Sequence, residues 1–132
     1  MRVLVVEDSV LIALMIENSV LSSGHEVVGP AFTGAAAMDL ISDKRIDLAL
    51  VDIDLESPGL GIDIVRHLDT VHGIKCVFVS AQLKKARANS QHVIGILQKP
   101  FSAAAVQAVL KYAESGTLPP KRPDALMEFT VL

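Results

Sequence analysis

The amino-acid sequence predicts an α/β fold, in which a doubly wound parallel sheet is covered by helices on both faces. Two observations support this prediction. Short apolar runs alternate with longer helix-like segments five times along the chain. The run Leu48–Val51 is apolar at four consecutive positions, which is typical of a strand buried on both faces.

Five strands and five helices follow one another in the predicted order. The predicted strands are Val3–Val6, Glu26–Gly29, Leu48–Asp54, Lys75–Val79 and Val93–Leu97. The predicted helices are Ser9–Leu21, Gly34–Ser42, Gly61–Val71, Leu83–Asn89 and the stretch that begins after Ser102. Thr33 and Ser102 are suited to cap the helices that follow them. Gly24 fits the left-handed position after the first helix, and Pro30 is expected to end the second strand.

The composition indicates one folded domain without a membrane span. The chain has 132 residues, a net charge of −3 and a single cysteine inside an apolar run. One cysteine excludes a disulfide framework, and no apolar run is long enough for a signal peptide or a transmembrane helix. The acidic balance argues against nucleic-acid binding through a general basic field. We therefore expect a cytoplasmic domain over residues 1–115 and an irregular tail over 116–132, with no separate output domain.

Polar side chains stand at the ends of four of the five apolar runs. Glu7 and Asp8 follow the first run, Asp52 ends the third, Ser80 follows the fourth and Lys99 the fifth. In a parallel sheet these ends lie on one edge, where ligands of open α/β sheets bind. Each residue alone has an ordinary explanation, such as acids at the start of a helix. Their combination predicts a phosphoryl and metal site, because clustered carboxylates repel one another and an all-oxygen site suits Mg²⁺.

These residues resemble the response-regulator receiver domain of two-component signalling, and the resemblance spans roughly residues 2–115. The positions that carry it are the acidic pair Glu7-Asp8, the acceptor Asp52, the hydroxyl of Ser80 and the pair Lys99-Pro100. The resemblance implies a flavodoxin-like fold, with a five-stranded parallel sheet in the order 2-1-3-4-5 flanked by five helices. It also implies a Mg²⁺ site formed by Glu7, Asp8, Asp52 and the backbone carbonyl of Asp54.

The resemblance implies a chemistry as well. Asp52 would accept a phosphoryl group from a phosphohistidine on a histidine kinase or a histidine phosphotransfer protein, in a step that needs Mg²⁺. Lys99 would neutralise the transferring group, and Ser80 would move toward the phosphate, for which Ala81 leaves room. The chain would then be a single-domain response regulator that signals to an unknown downstream protein. It would catalyse its own phosphorylation and dephosphorylation without being a turnover enzyme.

Two positions of the resemblance carry specific expectations about the switch. The family usually places Tyr or Phe three residues before its lysine, and this chain has Ile96 there, which puts the usual aromatic switch in doubt. Pro100 is usually preceded by a cis peptide bond in the family, so we expect the Lys99–Pro100 bond to be cis. We assign switch positions to Ser80, Ala81, Ile96, Lys99 and Pro100.

Two other functions stay open at this point. Asp52-Ile53-Asp54 resembles the nucleophile motif of haloacid-dehalogenase-type phosphatases, although that motif normally lies near the start of a chain and continues differently. A phosphorylation-independent interaction module of receiver shape is the other alternative, since a fold can persist without its chemistry. Turnover of a phosphate ester would identify the phosphatase, and a lack of phosphorylation would identify the module.

Two apolar segments predict contacts with partners. The first helix is apolar on every side, so we expect at least one of Leu11, Leu14 and Met15 to be exposed and to form a docking surface for the phosphodonor. In the tail, the prolines at 119, 120 and 123 predict an extended stretch. The apolar residues 125–132 are expected to pack on their own domain or on a second copy, near helices 4 and 5.

Overall fold

The computed structural model describes residues 1–118 and 128–132, and these residues form one sheet flanked by helices. The described residues contain six strands in the order β2-β1-β3-β4-β5-β6 and five helices. The strands are β1 (Arg2–Val6), β2 (Glu26–Ala31), β3 (Leu48–Asp52), β4 (Lys75–Ser80), β5 (Gly95–Gln98) and β6 (Phe129–Val131). The helices are α1 (Val10–Ser22), α2 (Gly34–Asp43), α3 (Leu60–His72), α4 (Leu83–Ala88) and α5 (Ala103–Ser115).

The predicted parallel sheet in the order 2-1-3-4-5 is confirmed. β1 pairs with β2 and β3, β3 with β4, and β4 with β5, all in parallel. Successive residues of each central strand point to opposite faces, so Leu4 and Ala49 enter the core beneath α2 and α3, whereas Val5 and Leu50 enter the core beneath α1 and α5. Both faces are therefore buried, which explains the unbroken apolar runs.

The helix boundaries follow from local side-chain chemistry. Thr33 and Ser102 accept hydrogen bonds from the backbone N–H of Ala36 and Ala105, so both predicted caps are confirmed. Ser9 caps α1 in the same way, where we had expected it inside the helix. Gly24 has a φ of +82° just after α1, as expected for a residue in the left-handed region.

The predicted end of the second strand at Pro30 is wrong. β2 continues to Ala31, and Val6 of β1 pairs with Ala31 after a register shift. Because β2 is the outer strand of the sheet, a proline there removes no ladder hydrogen bond from a central pair. Gly29, with a φ of +96°, provides the irregular backbone that the register shift requires.

The expectation of five strands is corrected by β6. Residues Phe129–Val131 pair antiparallel with β5, so the end of the chain packs on its own domain, beside α5. The sequence predicted this apolar segment to be packed, but three residues are too few to show the period of a strand. The extended stretch predicted around the prolines lies outside the described residues.

α3 approaches the end of β3 very closely, and this approach positions Asp52. The contact occurs at Gly61, where a Cβ atom would overlap the backbone oxygen of Asp52 and lie 2.7 Å from the Cα of Ile53. Gly61 also donates its N–H to the backbone oxygen of Ile53 over 3.0 Å. A glycine is therefore required where the helix begins.

We expect Gly61→Ala to lower the free energy of unfolding by about 1–3 kcal/mol, since backbone cannot move aside as a side chain can. Urea unfolding followed by circular dichroism measures this loss. Gly34→Ala is the matched control, because its Cβ would meet flexible side chains rather than backbone, Leu60 at 3.0 Å and Glu56 at 3.5 Å. Equal losses in the two variants would contradict a specific role for Gly61.

Candidate acidic site at the carboxyl edge of the sheet

The carboxyl ends of β1 and β3 bring three acidic side chains together. Glu7 and Asp8 follow β1, and Asp52 is the last residue of β3, the neighbouring strand. One carboxylate oxygen from each of the three residues lies within 4.8 Å of the others. The sequence placed these residues on one sheet edge, and the structure brings them into a single cluster.

Glu7 is the most deeply buried member of the cluster, with only 1% of its surface exposed. Its Oε2 atom accepts a hydrogen bond from the N–H of Ser9 at 3.0 Å. The Nζ atom of Lys99 lies 2.7 Å from Oε1, but Oε1 accepts no well-directed hydrogen bond within the described part of the chain. The pKa of Glu7 is raised to about 7, mainly by burial and also by the charge of Asp52, because these effects outweigh the lowering by Lys99 and Ser9.

Asp8 lies at the exposed side of the cluster and is tied to the loop after β3. Its Oδ2 atom accepts a hydrogen bond from the backbone N–H of Glu56 at 3.2 Å. The pKa of Asp8 is lowered, because this and other hydrogen bonds outweigh the opposing effect of burial. Glu56 in turn accepts a hydrogen bond from the N–H of Gly34 at the start of α2. Glu56 could not be identified from the sequence, since only the folded loop brings it to Asp8.

Asp52 is almost entirely buried; Ser80 ends the neighbouring strand β4, and Lys99 reaches Asp52 from the loop after β5. Oδ1 accepts a hydrogen bond from the N–H of Asp54 at 3.1 Å, and Oδ2 lies 3.6 Å from the Nζ atom of Lys99. Ser80 ends β4 beside it, and its hydroxyl oxygen accepts a hydrogen bond from the N–H of Gln82 at 2.9 Å. The N–H of Lys99 donates to the backbone oxygen of Ser80 at 2.8 Å. The three acids thus form one cluster with Lys99 at the carboxyl edge of the sheet, and Ser80 ends the strand next to Asp52.

The donor set fits a small divalent cation. All three acidic residues supply oxygen, which is the ligand that Mg²⁺ prefers, and Oε1 of buried Glu7 receives no well-directed hydrogen bond from residues 1–118 and 128–132. Their mutual repulsion is only partly offset by Lys99, whose pKa is raised because Glu7 and Asp52 together outweigh the effect of its burial. A bound cation would remove the remaining repulsion.

Asp54 makes a contact that the sequence did not reveal. Its carboxylate forms an ion pair with Lys85 of α4 and also accepts a hydrogen bond from the N–H of Gly59 at 3.3 Å. Lys85 lowers the pKa of Asp54. No sequence pattern could have predicted this pairing across two loops. That the backbone carbonyl of Asp54 is a metal ligand stays a prediction.

The remaining switch positions divide into exposed and buried residues. Ala81 and Pro100 are exposed beside the pocket, and the Lys99–Pro100 bond is cis, as expected. Ile96 is fully buried and packs in the core that contains Phe78 and Ala86. Its side chain is therefore part of the fixed interior.

An apolar surface lies next to the acidic pocket. Leu11, Leu14 and Met15 are 70%, 48% and 42% exposed, so the predicted exposure on α1 is confirmed for all three residues. A cavity of about 240 Å³ lies between α1 and the loops after β4 and β5, lined by Ile12, Met15, Ala81, Lys99, Pro100 and Phe101. This apolar surface therefore reaches Lys99, at the rim of the pocket.

The strand order and the flanking helices define an α/β domain of the flavodoxin-like class, with acids, a lysine and a hydroxyl at the carboxyl edge of its sheet. Residues 3–111 match the family model of the response regulator receiver domain. The chain therefore belongs to the response-regulator receiver family, as its sequence resemblance implied.

Individual relatives agree with this assignment. The chain is 33% identical over 114 residues to the phyllosphere-induced regulator PhyR of Methylorubrum extorquens, covering 85% of this chain and 43% of PhyR. It is 25% identical to the chemotaxis protein CheY of Thermotoga maritima, covering 83% of this chain and 93% of CheY. The receiver domain of NtrX from Brucella abortus superposes with a TM-score of 0.78 at 25% identity, covering 87% of this chain and 99% of that domain. The chain thus spans less than half the length of PhyR and nearly all of CheY.

Family membership favours one of the functions that the sequence left open. Receiver domains are signalling modules that bind Mg²⁺ through acidic residues, and this chain has a cluster of three acidic residues, Glu7, Asp8 and Asp52. The match therefore supports a receiver rather than a dehalogenase-type phosphatase. Among the described residues, no helix combines the length and the apolar character needed to cross a membrane.

The raised pKa of Glu7 predicts that the stability of the metal-free protein depends on pH. The folded-state pKa of about 7 exceeds the ordinary value of 4.5, so the folded state binds this proton more tightly than the unfolded state does. The resulting stabilisation is fully present below pH 4.5 and is lost as the pH rises through about 7. We expect the difference in stability between wild type and Glu7→Gln to shift by about 2 kcal/mol in favour of the variant from pH 5 to pH 8.

Urea unfolding in EDTA at several pH values measures this difference, with Glu17→Gln on α1 as the matched control. A difference between wild type and Glu7→Gln that stays constant across the range would contradict the raised pKa of Glu7.

Proposed function

We propose that this chain is a single-domain response regulator that accepts a phosphoryl group on Asp52 from a phosphohistidine and signals through protein–protein contacts. The observation that supports this proposal most directly is the position of Asp52. Its carboxylate is buried at the end of a rigid strand, yet it faces Lys99 and two further acids at a pocket. A buried carboxylate with a cation beside it is held ready to attack, because its oxygens need no solvent rearrangement.

The residues of the pocket would divide the work of phosphoryl transfer. Asp52 attacks the phosphorus atom, the bond between phosphorus and the histidine nitrogen breaks, and an aspartyl phosphate forms. The Nζ atom of Lys99 lies 3.6 Å from Asp52, so it can also contact the phosphoryl oxygens and neutralise their negative charge. Glu7, Asp8 and Asp52 would hold Mg²⁺, which supplies charge neutralisation for the transferring group when it is bound.

The exposed face of α1 supports a docking role for this helix. A phosphodonor must bring its histidine into line with Asp52, and an apolar surface next to the pocket can hold it there. Leu11, Leu14 and Met15 provide such a surface, which continues through the adjoining cavity to Lys99. We propose that a histidine kinase or a histidine phosphotransfer protein binds here.

The switch would rest on Ser80, Ala81 and Lys99 rather than on an aromatic side chain. Phosphoryl oxygens would attract the hydroxyl of Ser80, which now accepts a hydrogen bond from Gln82. Turning this hydroxyl toward the phosphate would disturb the loop that leads into α4. Ile96 has no polar group that could form a new hydrogen bond, and it is already fully buried, so it cannot swing inward from the surface. It would take part only through a change in its packing.

Phosphorylation at Asp52 can be tested directly with a small phosphodonor. Incubation with Mg²⁺ and acetyl phosphate should increase the intact mass of the wild type by one phosphoryl group, and the increase should be absent in Asp52→Asn. Asp39→Asn, an exposed acid on α2, is the matched control and should be labelled like the wild type. Omission of Mg²⁺ should prevent labelling.

Labelling of Asp52→Asn would place the acceptor elsewhere and disprove the site assignment. An unlabelled wild type would instead support the phosphorylation-independent module, and multiple turnover of a phosphate ester would support the phosphatase.

The proposed metal ligands make a separate prediction. Asp8→Ala should lower the affinity for Mg²⁺ at least about tenfold, because it removes the most exposed carboxylate of the cluster. Isothermal titration of the unphosphorylated protein measures the affinity. Asp63→Ala on α3 removes an exposed carboxylate away from the cluster and should bind Mg²⁺ like the wild type. A wild-type affinity in Asp8→Ala would contradict the proposed ligand set.

A further inference from the structure

The outer edge of β5 is occupied by β6, a strand of only three residues. The pairs are Gly95 with Val131, Ile96 with Thr130 and Leu97 with Phe129, and the N–H of Leu132 donates to the backbone oxygen of Ile94 at 3.1 Å. A ladder this short is marginal by itself. Its specificity must therefore come from side chains.

Phe129 provides the first of these specific contacts. Its side chain is buried in the core beneath α5, and its ring meets the ring of Tyr112 edge to face, with centroids 5.9 Å apart. The ring lies over Gly95, where any Cβ atom would overlap it. The edge of β5 thus contains a notch, formed by a missing side chain, that fits an aromatic ring.

Glu128 provides the second specific contact, one residue earlier. Its Oε2 atom accepts hydrogen bonds from both the N–H and the hydroxyl of Ser102, each at 2.8 Å. Ser102 is the cap of α5, so the carboxylate is bound at the beginning of a helix that also favours negative charge. The edge therefore recognises an acid followed directly by an aromatic residue.

The side chains of the outer part of β6 are much less buried than Phe129. Val131 and Leu132 are 37% and 46% exposed, although both are apolar. The strand thus combines two specific anchors with a loosely covered apolar end. A segment of this kind can be exchanged for another of the same pattern, because local opening requires few contacts to break.

We propose that the edge of β5 is a binding surface for an extended segment of a partner protein, and that β6 is a built-in competitor for it. The segment that fits carries a carboxylate, then an aromatic residue, and then an aliphatic residue two positions later, as Glu128, Phe129 and Val131 do. Binding occurs by strand addition, in which backbone hydrogen bonds supply affinity and the notch at Gly95 supplies specificity. A second copy is the less favoured occupant, because its β6 would make only the contacts that the chain's own β6 already makes at an effective concentration on the order of millimolar, whereas a partner segment can add contacts.

The surface can be tested with the full chain and a fluorescein-labelled peptide of the sequence of residues 124–132, by fluorescence anisotropy. Wild type should bind the peptide weakly, because β6 competes. Phe129→Ala should bind it at least about tenfold more tightly, because the competitor has lost its anchor. Phe32→Ala, which removes a partly exposed phenylalanine just after β2, is the matched control and should behave like the wild type.

Two further measurements identify the binding surface. A peptide whose own phenylalanine is replaced by alanine should not bind, and adding Gly95→Val to Phe129→Ala should abolish binding. Equal affinity of wild type and Phe129→Ala, or binding that survives Gly95→Val, would overturn the proposal. If circular dichroism shows that Phe129→Ala does not fold, Glu128→Gln replaces it, with an expected gain of several-fold. Light scattering shows whether the wild type forms a dimer that Phe129→Ala abolishes. Such a result would identify a second copy as the occupant and would overturn the proposal of a partner protein.

Discussion

A single ammonium group between two buried carboxylates is the interaction on which the site depends. Lys99 lies 2.7 Å from Glu7 and 3.6 Å from Asp52, and it cannot fully compensate both charges. The uncompensated negative charge raises the pKa of Glu7, because burial and the charge of Asp52 both favour the neutral form of its carboxyl group. Such an arrangement costs folding free energy, and it persists only because rigid strand ends hold each group in place. The same imbalance gives a cation or a phosphoryl group something to bind.

The segment from β5 to the start of α5 connects the acidic cluster with the edge of β5 on which β6 pairs. Lys99 contacts the acids, whereas Ser102, three residues later, binds Glu128 just before β6. Leu97 pairs with Phe129 on the same short stretch. A displacement of Lys99 therefore acts on a piece of backbone that also carries the anchor of β6. Because Ile96 is fixed in the core, this backbone path is a more direct link between pocket and surface than its side chain.

Most of the fold could be predicted from the sequence because a parallel sheet leaves a strong pattern. Strands covered on both faces appear as continuous apolar runs, and the caps Thr33 and Ser102 mark where helices begin. The strand-end residues could be assigned for the same reason, since the position of each follows from its strand. The exceptions lie at the edges of the sheet. At β2 an outer position tolerates Pro30, and at β6 pairing depends on a notch at Gly95 that only the assembled fold creates.

The contacts that sequence reasoning missed in the site share a physical cause. Glu56 with Asp8, and Lys85 with Asp54, join groups on separate loops whose relative positions no periodicity encodes. Asp8 belongs to the acidic cluster, and Asp54 follows the proposed acceptor Asp52 by two residues. Asp8 is connected through Glu56 to the start of α2, and Asp54 is connected through Lys85 to α4. A change of charge at Asp52 would therefore be felt by two helices through ion pairs and hydrogen bonds, while the aliphatic core beneath them stays unchanged.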